Sequence, residues 1–357
     1  MTFEHRVLEF ASVEPVSLQQ RLMASSEPFL DPAITSTAAR AKLHSLAARL
    51  PDLTDHVAYR VSLDGKSPRV DFGLALAASH KQLLARALHS HARSFGAVAR
   101  GWERIAHFAQ LWSDSAAASL AVPSLFLEFA AQSADSPLPV PALFALIGSR
   151  PARDIRAQEL RALRSSLQIL AGDADPHTRE LQRRAAHCHE LLPNHSRLLQ
   201  VGALLGHPGQ PVRLSVAIHG GEVEPYLQRV GWKGNRSELA LALELATRFS
   251  PLIELDFDPG EPMLSRVCLA LRPETPEHWR GLLDALAYFG FAGSPECRGL
   301  IAWTGRHWLS LETSQSCVVN RYLSHVQLCC GDGEISARSW VGAIAHRTLG
   351  PEGGAWA

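Results

Sequence analysis

Two hydrophobic periods alternate along the chain. Runs with period-2 alternation come in pairs: HVAYRVSL with RVDFGLAL, VPSLFLEFA with PALFALIG, SRLLQVGALL with VRLSVAIH, LIELDFD with SRVCLALR, and NRYLSHVQLCC with SARSWVGAIAH. Each pair is bridged by a segment rich in Gly, Pro, Asp or Ser (DGKSP, SADSPLPV, GHPGQP, PGEPML, GDGE), the signature of a β-hairpin. Between the hairpins the period changes to 3.6. KQLLARALHSHARSF and WERIAHFAQLW follow the first hairpin, and DIRAQELRALRSSLQIL and HTRELQRRAAHCHELL the second. VEPYLQRVG and SELALALELATRF follow the third, and HWRGLLDALAYFG and ECRGLIAWTG the fourth. SLQQRLMA and TAARAKLHSLAARL precede the first. Each helical segment carries one apolar stripe and must lie on something.

An antiparallel sheet of ten strands with all its helices on one face has to curl, and closing it removes both edges. The pattern therefore predicts an α+β fold: a ten-stranded antiparallel β-barrel ringed by α-helices. One domain over 1–357 would hold five αββα repeats, at about 15–95, 96–170, 171–230, 231–290 and 291–350. The competing arrangement is two α+β domains dividing near residue 172. In a closed barrel the helix-facing positions are apolar and the lumen-facing ones more polar. Leu214, Val216 and Ile218 do alternate with Arg213, Ser215, Ala217 and His219, and Ile253, Leu255 and Phe257 with Glu254, Asp256 and Asp258.

Composition narrows the function. With 35 basic and 35 acidic residues, the chain lacks the basic excess of a nucleic-acid binder or a polybasic membrane-surface protein. No apolar run reaches the length of a spanning helix, and six irregularly spaced cysteines read as reduced thiols, so a soluble cytoplasmic protein is expected. Lysine occurs only at Lys42, Lys66, Lys81 and Lys233; nearly all the positive charge is arginine. No CxxC, HExxH, P-loop, GxGxxG or GxSxG motif occurs. His187-Cys188-His189 is no metal site, because adjacent helical residues diverge by about 100°.

Five αββα units closing such a barrel resemble the aromatic prenyltransferase barrel, also called the ABBA fold. The segments SLFLEF, YLQRVGW, RYLSHVQL and ARSWVG also resemble bacterial proteins encoded near modified-peptide gene clusters. The resemblance implies transfer of a prenyl group from an allylic diphosphate to an aromatic small molecule or a peptide, in natural-product biosynthesis, by a monomer or homodimer. Such a site needs fixed donors for the diphosphate, apolar walls around the allyl cation and a base for the released proton. Arg60, Arg213, Arg266, Arg321 and Arg338 are the candidate diphosphate or anion binders, one on each of five strands. Guanidinium forks suit phosphate oxygens. The family's Lys-x-Tyr pairs are missing; Arg338-x-Trp340 stands in such a place, and the chain has four tyrosines in all. Glu128, opposite in face to Leu125, Leu127 and Phe129, is the candidate base, with His325 as a second catalytic candidate and Trp340 as the cation shield. Glu254 and Asp256 are candidate metal ligands, since carboxylates about 7 Å apart on one strand face call for a cation such as Mg²⁺. No other cofactor is implied. Alternatively the arginines neutralise these carboxylates, and the barrel binds or modifies peptides without prenyl chemistry, or is a non-catalytic interaction protein.

Overall fold

The computed structural model describes residues 18–65, 70–91, 99–114, 122–130, 139–148, 154–171, 176–206, 212–260, 266–310, 316–331 and 333–347. Parts of all five hairpin connections, the break GDADP and the end of KQLLARALHSHARSF lie outside the described residues.

Ten of the strands fall where the period-2 runs place them. They are β1 (His56–Ser62), β2 (Val70–Ala77), β3 (Ser124–Phe129), β4 (Ala142–Leu146), β5 (Arg197–Ala203), β6 (Val212–His219), β7 (Leu252–Phe257), β8 (Val267–Leu271), β10 (Ser316–Cys330) and β11 (Ser336–Arg347). Each pairs antiparallel with its neighbours, and β11 pairs with both β10 and β1, closing a ten-stranded barrel. Strands from both halves of the chain enter this one sheet, as the hairpin pattern requires. Hairpin connections gather at one end of the barrel and helical connections at the other.

The helices are α1 (Leu18–Ser26), α2 (Thr37–Arg49), α3 (Lys81–His91), α4 (Ala99–Ser113), α5 (Ile155–Ala171), α6 (Pro176–Glu190), α7 (Gly220–Arg229), α8 (Arg236–Phe249), α9 (Pro276–Tyr288) and α10 (Ser294–Trp303). Local chemistry sets several starts. Ser36 and Asn235 cap α2 and α8 by accepting from backbone N–H groups of the first turn, and Thr275 caps α9 ahead of a proline at its first position. The core is the layer between helices and barrel. There Tyr59 meets Trp303 edge-on at 5.7 Å, Trp102 packs on Phe129 at 6.2 Å and Tyr226 on Phe257 at 5.9 Å. The Trp303 indole also donates to the Gly342 carbonyl (3.3 Å), fastening α10 to β11.

Two features depart from the sequence reading. Gly305–Ser310 forms an additional strand, β9, which pairs with Ser316–Arg321 of β10 outside the closed ring. Its alternation is faint because Arg306, Trp308 and Ser310 are exposed and only Leu309 is buried. The second is a bulge in β10: Leu323 opposes Val341, but His325 opposes Trp340, so Ser324 is an extra residue. A bulge inverts the alternation beyond it. Before it the odd positions Val319 and Arg321 face the helices; after it His325 and Gln327 face the lumen.

The cysteines also correct an expectation. Cys268 and Cys329 are direct cross-strand partners on β8 and β10 and form a disulfide; Cys188, Cys297, Cys317 and Cys330 are buried thiols. None of the described helices is long and apolar enough to cross a membrane.

If the helix-facing layer carries the stability, Leu255→Ala, which empties a fully buried position on β7, should destabilise the protein by about 2–5 kcal/mol. Urea unfolding followed by circular dichroism would read this as a lower midpoint at unchanged slope.

Candidate functional site

The lumen holds a cavity of about 360 Å³, which reaches from a charged layer near the hairpin end to the helical-connection end. Ala77 and the half-exposed Arg272 stand at the latter end.

One side of the cavity is aromatic. Phe126 of β3 lies between Trp340 of β11 (5.1 Å, edge-on) and Phe144 of β4 (6.5 Å). The Arg60 guanidinium approaches the Trp340 ring at 5.6 Å. Phe126, Phe144 and the nearby Tyr322 rest against bare backbone, because the neighbouring strands carry glycine there. A Cβ at Gly73 would come within 2.2 Å of Phe126, one at Gly202 within 2.3 Å of Phe144, and one at Gly342 within 2.4 Å of Tyr322. Three aromatic rings thus occupy the space of three absent side chains, and the cavity stays open in front of them.

A network of paired charges begins beside this wall and continues around the lumen. Arg60 donates from Nε to Asp71 (3.0 Å), its cross-strand partner on β2, and forms an ion pair with Glu128 at 2.5 Å. Arg213 donates to both oxygens of Asp258, at 2.9 and 3.2 Å. Burial opposes its charge, but Asp258 beside it raises its pKa above the ordinary arginine value. Arg272 donates twice to Glu254 Oε2, at 3.1 and 2.7 Å. Burial works against the Glu254 charge, yet Arg272 and its hydrogen bonds hold the carboxyl below its usual range. Asp256 is buried beside it, and desolvation together with the Glu254 charge pushes its pKa up to about 7.

Arg338 differs from these arginines. It donates from Nε to Gln327 Oε1 (2.8 Å) and from Nη2 to Cys268 Sγ (3.2 Å), and among the described residues no carboxylate pairs with it. Burial, then the charges of Arg60 and Arg213, lower its pKa to about 9. It is the one lumen guanidinium whose charge lacks a direct counterion among the described residues.

The barrel brings most of the candidates together: Arg60, Glu128, Arg213, Glu254, Asp256, His325, Arg338 and Trp340 all line the cavity. His325 accepts or donates with Ser324 at 3.0 Å, and burial pushes its pKa down to about 3, so its imidazole is neutral. Two candidates stand elsewhere. Arg321, turned outward ahead of the bulge, lies in the helix layer with its guanidinium carbon 3.2 Å from the Phe29 ring centre and 5.8 Å from that of Trp303. Arg266 precedes the first residue of β8 and is exposed at the rim, where it donates to Ser336 (3.1 Å). Neither lines the cavity.

Glu254 and Asp256 are adjacent as expected, but their oxygens face the donors Arg272, Ser215 and Gln327. Among the described residues no group of three His, Cys, Asp or Glu side chains is arranged to hold a metal ion. As arranged, this donor set does not fit Mg²⁺, whose ligands must turn lone pairs toward it.

Phe126, Phe144, Gln327 and Asp71 escaped the sequence reading. Asp71 was open to discovery, since counting back from the DGKSP turn sets it opposite Arg60. Phe144 was not, because ALFAL is apolar on both faces.

Among solved structures, the apo form of the prenyltransferase PriB superposes with a TM-score of 0.58, at 14% sequence identity, covering 92% of this chain and 96% of PriB. The chain has the prenyltransferase-barrel fold. AnaPT from Neosartorya fischeri matches with a TM-score of 0.52 at 10% identity, over 96% of this chain and 97% of that one. No family model and no curated sequence matches the chain. At such identities the likeness shows the PT-barrel fold alone.

Because the rings rest against bare backbone, Gly73→Ala should force Phe126 inward and cost about 1–3 kcal/mol through overpacking. Phe126→Leu in the same background should recover part of that loss, a coupling measured by a double-mutant cycle of melting temperatures.

Proposed function

We propose that the lumen cavity is the active site of a prenyltransferase-like enzyme, which transfers a prenyl group from an allylic diphosphate to an aromatic or peptide side chain. The observation that carries this reading is the position of Arg338. A half-buried cation without a direct counterion among the described residues stands two residues from Trp340, at the edge of an aromatic wall. Transfer begins as the allylic C–O bond breaks and the electron pair leaves with the diphosphate. Arg338 offers that group a charge in surroundings of low dielectric, where such stabilisation is large. Trp340, Phe126 and Phe144 form the apolar wall that shields the allyl cation from water. The acceptor attacks the cation and then gives up a proton, for which Glu128 is the carboxylate on the same side of the lumen as Trp340. The ion pair with Arg60 positions Glu128, and His325, neutral and buried, is a second acceptor. Arg60 and Arg213 join the anion site only by exchanging a carboxylate for the diphosphate.

That last requirement favours a second reading. Arg60, Arg213 and Arg272 are each already matched by a carboxylate, as in a barrel that binds or modifies a peptide without a diphosphate. Calorimetric titration with dimethylallyl and geranyl thiolodiphosphates separates the two. Micromolar binding is expected, falling at least tenfold in Arg338→Gln, about 1.4 kcal/mol or more. Failure of both analogues to bind would leave the peptide-binding barrel.

A further inference from the structure

Ser215 sits between two buried carboxyls. Its Oγ lies 2.9 Å from Glu254 Oε1 and within hydrogen-bonding distance of Asp256 Oδ1. A serine hydroxyl has one proton, so it can donate to only one of them. If both carboxylates were ionised, the other contact would set a lone pair against a negative oxygen in a site from which water is largely excluded. One carboxyl must therefore donate to Ser215. Glu254 is the one held ionised, since Arg272 gives it two hydrogen bonds. Among the described residues no guanidinium is bonded to Asp256; its Oδ2 accepts from the Gln327 amide at 2.7 Å. The other face of that amide accepts from Arg338.

We infer that Asp256 carries an exchangeable proton, relayed through Ser215 to Glu254, and that an anion bound at Arg338 draws a proton from solvent onto Asp256. The second half rests on the anion site proposed above. The charges around Asp256 give the sign. From β6 it faces Ser215 and Arg213, from its own strand Glu254, and from β8 the disulfide-bonded Cys268 and, across Glu254, Arg272. From β10 it faces Gln327 with His325 nearby, and from β11 Arg338. Arg213 and Arg338 favour its ionised form, while Glu254 and burial oppose it. An anion on Arg338 cancels part of the favourable field, and the carboxyl takes up a proton in response. The step is a proton transfer from buffer to a carboxylate, with no other bond made or broken.

The test has two arms on the full chain. In the first, inorganic diphosphate is titrated calorimetrically at pH 7 in buffers of different ionisation enthalpy. The heat should vary with the buffer, with a slope of proton uptake no greater than about half a proton for a group half-ionised there. The slope should vanish in Asp256→Asn while binding persists. Binding with no slope in the wild type overturns the coupling and leaves the anion site standing; no binding overturns both. The second arm needs no ligand: carbon-13 NMR of protein labelled at aspartate carboxyls, with Asp256 identified by the resonance missing in Asp256→Asn or displaced in Ser215→Ala. A titration midpoint near neutrality is expected. A midpoint at the ordinary aspartate value of about 4 overturns the exchangeable proton itself.

Discussion

The antiparallel pairing of β11 with β1 is the constraint on which the rest depends. Once the sheet closes there, every regular strand must give one face to the helices and the other to the lumen, because successive side chains alternate. The helix-facing set becomes a continuous apolar layer with Tyr59, Phe72, Phe129, Phe257 and Trp303 fully buried. The other set turns its arginines, carboxylates and amides into a shared interior. No single element could hold so many charges out of water; the ring does so by letting residues from adjacent strands answer one another.

That interior is held by cross-strand pairs. Arg60 and Asp71 are direct partners on β1 and β2, and Ser215 and Asp256 on β6 and β7. Breaking one member of such a pair leaves an uncompensated buried charge, which costs more than the pair contributes net. Arg338 escapes this logic, because its partners are an amide and a sulfur. It is therefore the group with most to gain from an incoming anion.

The barrel was largely legible from sequence, because ten hairpin strands and ten helices announce themselves by period and the alternation in β1, β3, β6, β7, β8 and β11 is regular. The losses have physical causes. The bulge at Ser324 leaves no mark in RYLSHVQL, so Arg321 and His325, four apart, looked like neighbours on one face. β9 is short and mostly exposed, so its run carries little apolar signal. Phe144 sits in a strand so apolar that polarity does not mark its lumen side, and Phe126, though it shares the Glu128 face of β3, is itself apolar. The disulfide depends on register, which sets Cys268 opposite Cys329 and which cysteine spacing alone does not reveal. Gln327 shows its value only when Asp256 and Arg338 are seen on either side of it.

The glycines behind the aromatic wall have a consequence for how such a pocket changes over generations. Glycine and alanine codons differ at one nucleotide, so the smallest heritable step at Gly73 or Gly202 moves a whole ring by the width of a methyl group. A barrel built this way can resize its interior without altering any residue that a ligand touches.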